Sequence, residues 1–257
     1  MNEAETILEL ESVVIRGRWR DGVEALPGPL SLRVRRGETW LVLGGMGSGK
    51  SALLEAMVGL RALGGGTVRV FGRELSGLKG AELAAMRRRM GLVFEGRGRL
   101  MSGMTVLENV TLPVCYHGNV DVEAAAVEVG GWMEEMELEG LADVGVGRLG
   151  MAWARRVALA RAVVQGPELL LLDDPMGGLD PVHARWWRGF LGRLRDGHPR
   201  LGGQGVTLVM ATGSPRALMG LAGRCAVMTG EGLRDVGGCK DALGRDEAWT
   251  DEGDGEE

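Results

Sequence analysis

The sequence predicts an α/β fold in which helices flank a parallel or mixed β-sheet. Two observations support this prediction: short apolar runs of strand length alternate with segments of helical spacing, and a glycine-rich stretch joins one such strand to a helix. The predicted strands cover residues 7–15, 30–34, 39–43, 67–71, 91–94, 169–173, 206–211 and 225–228. This alternation is typical of a sheet with crossover helices, and no internal repeat indicates a solenoid.

The glycine-rich stretch follows the third predicted strand and fits the pattern GxxxxGK[ST] without a mismatch. Its residues are Gly44, Gly45, Met46, Gly47, Ser48, Gly49, Lys50 and Ser51, and a helix is predicted over residues 51–60. Glycines let backbone N–H groups surround a phosphate, while the lysine reaches the outer phosphates and the hydroxyl ligates Mg²⁺. Lysine occurs elsewhere only at Lys79 and Lys240, so the 45 glycines alone do not explain the match. The stretch therefore predicts a nucleotide site.

Between the fifth and sixth predicted strands the apolar spacing becomes helical. Val122, Ala125, Val129, Trp132 and Met133 follow a helical period, and a second such pattern covers residues 157–164. We interpret residues 96–164 as a helical subdomain inserted into a single domain of residues 1–245. Residues 246–257 are acidic and contain glycine, which predicts a disordered tail.

The sixth predicted strand ends in a second candidate site. Its apolar residues lead into Asp173 and Asp174. In nucleotide-binding proteins, a carboxylate at the end of a strand beside the phosphate loop holds Mg²⁺ through water. We therefore expect Asp173 to take part in a Mg²⁺ site with Ser51. The alternative is a strand that simply ends at a turn.

Composition narrows the class of protein. The chain has 45% hydrophobic and 25% charged residues, as in soluble globular proteins. No apolar stretch approaches the roughly 20 residues of a transmembrane helix, and the N-terminus lacks the features of a signal peptide, which predicts a cytoplasmic location. The net charge of −5 argues against a nucleic-acid partner, although residues 87–89 and 155–156 are basic clusters.

The cysteines show no metal-binding pattern. Cys115, Cys225 and Cys239 are scattered along the chain without CxxC spacing, and the three histidines form no ligand set with them. We therefore expect three free thiols and no structural metal.

The order of these motifs resembles the ATP-binding cassette (ABC) ATPases, the nucleotide-binding subunits of ABC transporters, over about residues 7–240. Residues 91–95 and 104–110 are similar to the region of that family's glutamine loop, residues 154–162 to the helix after its signature motif, and residues 177–181 to its D-loop. The resemblance implies a P-loop NTPase sheet core of ABC type, with an inserted helical subdomain and an antiparallel β portion. It also implies ATP and Mg²⁺ as cofactors.

The resemblance further implies the partners of the chain. Cassettes of this family work as head-to-tail homodimers or heterodimers and dock on integral membrane transporter subunits at the inner face of the cell membrane. Leu100, Met101 and Met104 are the expected docking residues, with packing inside the protein as the alternative. Trp19 is the candidate for stacking on adenine, although it would serve equally as a surface residue.

The type of transporter stays open at this stage. Arg155, Arg156 and residues 106–110 are similar to cassettes of the lipid-trafficking (maintenance of lipid asymmetry) type. Similar residues also occur in lipoprotein-release and macrolide-export cassettes. The transported substrate and the direction of transport are not indicated by the sequence.

Four features depart from the family's catalytic pattern. Glu95 stands at the position of the family's glutamine, Asp174 at that of its catalytic glutamate, and Gly213 at that of its switch histidine. At residues 149–153 the signature motif is replaced by Leu-Gly-Met-Ala-Trp. The loss of the serine hydroxyl leaves only backbone N–H groups to meet a phosphate at that helix start.

By position, the resemblance still assigns catalysis to Asp174 and Glu95 and the metal to Ser51, Asp173 and Glu95. Phosphoryl transfer depends on positioning and charge, so the departures predict ATP binding with weak or absent hydrolysis. Whether the chain is an enzyme is thus left open. The alternatives are a nucleotide-dependent scaffold or switch without turnover, and a non-transport cassette of DNA repair or translation.

Overall fold

The structure is a computed structural model that describes residues 5–16, 26 and 28–239. Its strands, in chain order, are β1 (Thr6–Ile15), β2 (Leu30–Arg35), β3 (Thr39–Leu43), β4 (Leu63–Val70), β5 (Arg73–Glu74), β6 (Met90–Val93), β7 (Leu169–Asp173), β8 (Thr207–Thr212), β9 (Arg224–Thr229) and β10 (Gly232–Gly238). Its α-helices are α1 (Lys50–Met57), α2 (Gly80–Arg88), α3 (Val106–Gly118), α4 (Val122–Glu135), α5 (Met151–Val163) and α6 (Pro181–Asp196).

The strands form two sheets, and the predicted mixed α/β architecture with an antiparallel portion is confirmed. The first sheet has the order β2-β1-β4-β5, and its neighbouring strands are antiparallel. The second has the order β10-β9-β3-β8-β7-β6, in which only the pair β10 and β9 is antiparallel. The carboxyl ends of its parallel strands therefore meet at one edge, where ligands bind in open α/β sheets.

Alternate residues of the second sheet face two separate cores. Trp40 and Val42 of β3 lie in the core shared with the first sheet and α1. Leu41 and Leu43 of the same strand lie in the core shared with α3, α4, α5 and α6. Because both faces are covered, β3, β7 and β8 are buried along their whole length. Packing on both faces of the second sheet thus fixes the edge that carries the connecting loops.

The chain between β6 and β7 is helical, as predicted. A capping box begins α3: Glu108 N donates to Thr105 Oγ1 at 3.2 Å, and Thr105 N donates to Glu108 Oε2 at 2.7 Å. Val110 of α3 and Val129 of α4 are fully buried in the core that these helices share with the sheet. The boundaries of an inserted subdomain at residues 96 and 164 stay a prediction.

The predicted strands are all present, but the sequence prediction omits β5 and β10. It also starts β4 too late, because Gly64, Gly65 and Gly66 lack the apolar side chains that mark a strand, yet Gly65 pairs with Val14 of β1. The predicted helix over residues 51–60 is too long. Gly59 has a φ of 68°, in the left-handed region, so the chain has already left the helix there.

The expectation of three free thiols is wrong for two of them. Cys225 and Cys239 form a disulfide, with their Cα atoms 5.0 Å apart, and only Cys115 is free. The pair is 14 residues apart in the sequence, without a local motif. The antiparallel pairing of β9 with β10 brings the two cysteines together, which spacing along the chain does not reveal.

Two expectations from the sequence lie outside the described residues: the adenine-stacking role of Trp19 and the acidic tail at residues 246–257. The ends of the predicted domain of residues 1–245 lie outside them too. Within the described ranges, no helix combines the length and apolar character needed to cross a bilayer.

Candidate functional site

The carboxyl edge of the second sheet gathers the residues predicted for the nucleotide site. β3 leads into residues 44–51, which we call the P-loop, and β7 ends at Asp173. Lys50 interacts electrostatically with Asp173, Asp174 and Glu95. Three predicted site residues therefore lie around the ammonium group of Lys50, and the four residues come from three separate stretches of sequence.

The P-loop takes a backbone conformation that its glycines permit. Gly49 has a φ of 93° and directly precedes the first residue of α1, with no side-chain cap on that helix. A Cβ at Gly49 would lie 2.2 Å from Cδ2 of Leu26, so a side chain there would require Leu26 to move, in addition to the strain of the left-handed backbone. The N–H groups of the first turn of α1 are left without intrahelical partners, which fits a phosphate ligand.

Lys50 is folded back onto its own loop. Its Nζ donates to the carbonyl oxygens of Gly44 and Gly45 at 2.6 and 2.8 Å. Burial lowers the pKa of Lys50, while Asp173, Asp174 and Glu95 act in the opposite direction. The ammonium therefore lies beside two carbonyl oxygens of the P-loop, where a phosphate oxygen would be a further acceptor.

Asp173 and Ser51 lie together, as predicted for a Mg²⁺ site. Asp173 is 7% exposed, and burial raises the pKa of its carboxyl group. Glu95 and Asp174 raise it further, whereas a hydrogen bond from the Ser51 hydroxyl and the charge of Lys50 lower it. Neighbouring groups of the protein compensate the negative charge of this buried carboxylate only in part, which suits Asp173 to bind a cation.

The fit to Mg²⁺ depends on ligands from the nucleotide. In the part of the chain that the structure describes, no group of three or more His, Cys, Asp and Glu residues is arranged to hold a metal. Mg²⁺ is usually bound by one or two carboxylates together with substrate phosphates and water. The oxygen donors of Ser51 and Asp173 match that mode. The metal role predicted for Glu95 stays a prediction.

Asp174 is held in an unusual backbone conformation. Its φ is 43°, in the left-handed region, and its backbone N–H donates to Ala211 O at 2.8 Å. The Thr212 hydroxyl donates to Asp174 Oδ1 at 2.8 Å. A Cβ at Gly177 would lie 1.7 Å from Asp174 Oδ2, so the carboxylate occupies the space that a side chain at Gly177 would need. Sequence reasoning missed Thr212, although this residue directly precedes the candidate position Gly213.

Gly213 and the start of α5 are the positions predicted to depart from the pattern of the family that the sequence resembles. A Cβ at Gly213 would have the Gly44 carbonyl oxygen 3.6 Å away as its nearest contact, so this position lies beside the P-loop but is open. Gly150 caps α5 without a side-chain hydrogen bond. Met151 is 45% exposed, whereas Trp153 packs edge-on against His183 of α6 and beneath the Arg156 guanidinium. The ring of Trp153 is thus in contact with α6 and Arg156.

Sequence reasoning also missed a set of arginines around the loop that follows β6. We call residues 95–99 the braced loop. Arg97 donates to Val146 O at 2.6 Å and to Leu149 O at 3.0 Å, just before α5. Arg99 donates to Glu55, a buried residue of α1. The braced loop is therefore tied both to the helix that follows the P-loop and to the turn before α5.

Two further arginines hold the braced loop from α5. Arg161 donates to Gly98 O at 2.7 Å and to Arg99 O at 3.2 Å. Arg155 donates to Gly96 O at 3.0 Å and to Gly177 O. Arg155 and Arg156, a basic cluster in the sequence, are both buried. No periodic pattern in the sequence marks these contacts, since each joins residues more than 20 positions apart.

The predicted docking residues are only partly accessible. Met101 is 48% exposed. Leu100 and Met104 are of intermediate exposure, and Leu100 packs against the helical core. The packing of Leu100 fits the alternative, and the docking role of this segment stays a prediction.

Comparisons with known sequences point to one family. A family model described as "ABC transporter" matches residues 28–177. The chain is 35% identical to the methionine import ATP-binding protein MetN of Rhizobium johnstonii, over 81% of this chain and 56% of that protein. It is also 35% identical to the macrolide export ATP-binding/permease protein MacB 1 of Aeromonas hydrophila, over 81% of this chain and 31% of that protein. The chain spans about half the length of the MetN relatives that it matches.

Solved structures show the same fold. The protein cbiO1 from Clostridium perfringens, described as part of the ABC transporter complex cbiONQ, has a TM-score of 0.75 at 23% identity and covers 95% of this chain and 93% of its own. The ATP-binding cassette MJ0796, solved as a dimer bound to ADP and Pi, has a TM-score of 0.78 at 24% identity and covers 90% of this chain and 98% of its own. At these identities the likeness concerns the fold alone.

Proposed function

Because the chain belongs to the ABC transporter family, we propose that it is the ATP-binding subunit of a transporter, which binds Mg-ATP at the P-loop and couples it to a membrane partner. The observation that carries the proposal is the placement of Lys50, Ser51 and Asp173 at one edge of a buried sheet. A lysine, a hydroxyl and a carboxylate around free helix N–H groups form the donor set that a nucleotide triphosphate and its cation need.

Each part of the site has a task in nucleotide binding. The first turn of α1 would offer its N–H groups to a phosphate, and Lys50 would exchange its two carbonyl acceptors for phosphate oxygens. Ser51 and Asp173 supply oxygen ligands to the metal. Mg²⁺ held by these residues would neutralise part of the phosphate charge.

We further propose that the bound ATP is hydrolysed slowly or not at all by the chain alone. Thr212 holds the Asp174 carboxylate against Gly177, and Gly213 offers no side chain to a γ-phosphate. A displacement of a catalytic group by about 1 Å costs about a hundredfold in rate. The alternative, a nucleotide-dependent scaffold or switch that never turns over, is supported by the same departures. Asp174 and Glu95 remain the catalytic candidates in either case.

The partners in this proposal are a second cassette and an integral membrane subunit. The start of α5 carries free helix N–H groups and an exposed Met151, so a partner's nucleotide is its proposed ligand. The membrane subunit is proposed to dock near Met101, at the inner face of the membrane. Since the relatives named above include an import and an export protein, the direction of transport stays open. A lipid-trafficking transporter is the finer hypothesis.

The test of the proposed site is equilibrium dialysis of the purified chain against Mg-ATP, with Lys50→Ala and Lys79→Ala measured beside it. Lys79 is an exposed lysine before α2 and serves as the matched control. We expect Lys50→Ala to weaken Mg-ATP binding by about a hundredfold, since it removes charge-assisted hydrogen bonds to phosphate. Lys79→Ala is expected to bind like the wild type. Equal affinity in all three chains would contradict a nucleotide site at the P-loop.

A further inference from the structure

Arg155 is a buried cation on the second turn of α5. Only 6% of the residue is exposed, and a guanidinium stays charged at any pH at which proteins fold. Burying a charge is unfavourable unless hydrogen bonds and an opposite charge compensate it. The compensating groups of Arg155 therefore indicate what it does.

The hydrogen bonds of Arg155 join two loops of the candidate site. Its Nε donates to Gly96 O at 3.0 Å, in the braced loop directly after Glu95. Its Nη1 donates to the carbonyl oxygen of Gly177, and the Asp174 carboxylate lies beside that same glycine. One planar side chain thus fixes the backbone beside both carboxylates that the sequence marks as departures from the family pattern.

The compensating charges are those same carboxylates. Burial lowers the pKa of Arg155, and the negative charges of Asp174 and Glu95 oppose that change. Its hydrogen bonds go to backbone carbonyls, so the carboxylates act on it through space. Arg161 lies on the same helix and holds the same loop, and burial lowers its pKa without an opposing carboxylate among the described residues.

The site needs such a cation, because it otherwise carries an excess of negative charge. Lys50 faces the three carboxylates of Asp173, Asp174 and Glu95. A triphosphate would add further negative charge at the same place, and Glu95 contributes a charge that a glutamine would not. Resting on the function proposed above, we propose that Arg155 is a positioning residue that offsets the charge of Glu95 and joins the loops of Glu95 and Asp174, so that Mg-ATP can bind beside an acidic residue.

The direct test is a double-mutant cycle between Arg155 and Glu95, with Mg-ATP affinity measured by equilibrium dialysis. We expect Arg155→Gln to weaken Mg-ATP binding by about tenfold, the effect of one unscreened charge interaction of about 1.4 kcal/mol. Adding Glu95→Gln to Arg155→Gln is expected to restore most of that loss, because the charge that needed compensation is gone. A purely structural role for Arg155 predicts no restoration, and that result would overturn the proposal.

Arg161→Gln is the matched control, since it removes two hydrogen bonds to the braced loop without removing a partner of Glu95. Adding Glu95→Gln to Arg161→Gln is expected to restore nothing. Equal restoration in both backgrounds would mean that Glu95→Gln improves binding by itself, which would also overturn the proposal.

The same cycle in thermal unfolding of the nucleotide-free chain separates this inference from the proposed function. Arg155→Gln is expected to lower the midpoint of unfolding, and Glu95→Gln is expected to raise it again in that background only. If Arg155→Gln does not fold, Arg155→Lys keeps the charge and should lose loop protection in hydrogen exchange at residues 95–99 and 174–178. A wild type that binds no Mg-ATP would contradict the proposed function, and the unfolding cycle would still show whether Arg155 and Glu95 are coupled.

Discussion

The P-loop and the braced loop meet at one edge of the sheet but are built in opposite ways. The P-loop is specified locally: glycines set its conformation, and Lys50 closes it onto the Gly44 and Gly45 carbonyls. The braced loop is held by side chains from distant parts of the chain, among them Arg155 and Arg161 of α5. The first kind of loop is visible as a sequence motif, and the second is visible only in the fold.

The largest loss of stability is expected from Gly49→Ala, which changes a P-loop residue whose backbone conformation favours glycine. Gly49 has a φ of 93°, and a Cβ there would lie 2.2 Å from Leu26. Strain and overlap together should lower the free energy of unfolding by about 2–3 kcal/mol. Gly47→Ala is the control, because its φ is 79° but a Cβ meets nothing within 4 Å. We expect about 1 kcal/mol there, from the backbone alone. Chemical denaturation measures both, and equal losses would show that the contact with Leu26 does not matter.

A smaller loss of stability is expected from Arg97→Ala, which removes contacts between the braced loop and a distant part of the chain. The change removes hydrogen bonds to Val146 O and Leu149 O. We expect a loss of about 1 kcal/mol in the free energy of unfolding and faster hydrogen exchange just before α5. Arg97→Lys keeps the charge but not the paired donors and should exchange at an intermediate rate. Unchanged exchange at residues 146–151 would mean that the braced loop is not coupled to the start of α5.

The smallest change in stability is expected from Asp173→Asn, and this variant should be more stable than the wild type. Burial raises the pKa of Asp173, so the folded state binds this proton more tightly than the unfolded state does. The ionised carboxylate therefore disfavours the nucleotide-free fold at neutral pH, and its effect vanishes as pH falls below the ordinary range of an aspartate. Asp173→Asn should raise the free energy of unfolding by up to about 1 kcal/mol at pH 7 and weaken Mg-ATP binding.

The pH dependence gives the control for Asp173→Asn. Between the ordinary pKa of an aspartate and its raised value in the fold, wild-type stability should decline with rising pH relative to the variant. Thermal unfolding from pH 4 upward measures the difference. A variant less stable than the wild type at neutral pH would show that Asp173 is fully compensated within the protein.

The difference between the two loops also explains which features the sequence could predict. The GxxxxGK[ST] pattern, the buried strand that ends at Asp173 and the helical spacing between β6 and β7 are local signals, and the structure contains all three elements. The Cys225–Cys239 disulfide and the burial of Arg155 depend on residues brought together by the fold. Local periodicity in the sequence does not indicate such contacts, so these features could be identified only from the structure.

The proposal of slow hydrolysis is tested most directly by measuring bound ATP and released phosphate in the same samples of wild type, Gly213→His and Lys50→Ala. Gly213 can take a side chain, because a Cβ there has no neighbour nearer than 3.6 Å. We expect the wild type to hold ATP with little phosphate release, Gly213→His to release phosphate faster, and Lys50→Ala to do neither. Brisk release by the wild type that is lost in Lys50→Ala would contradict the account, since it would show that the present residues already suffice for turnover.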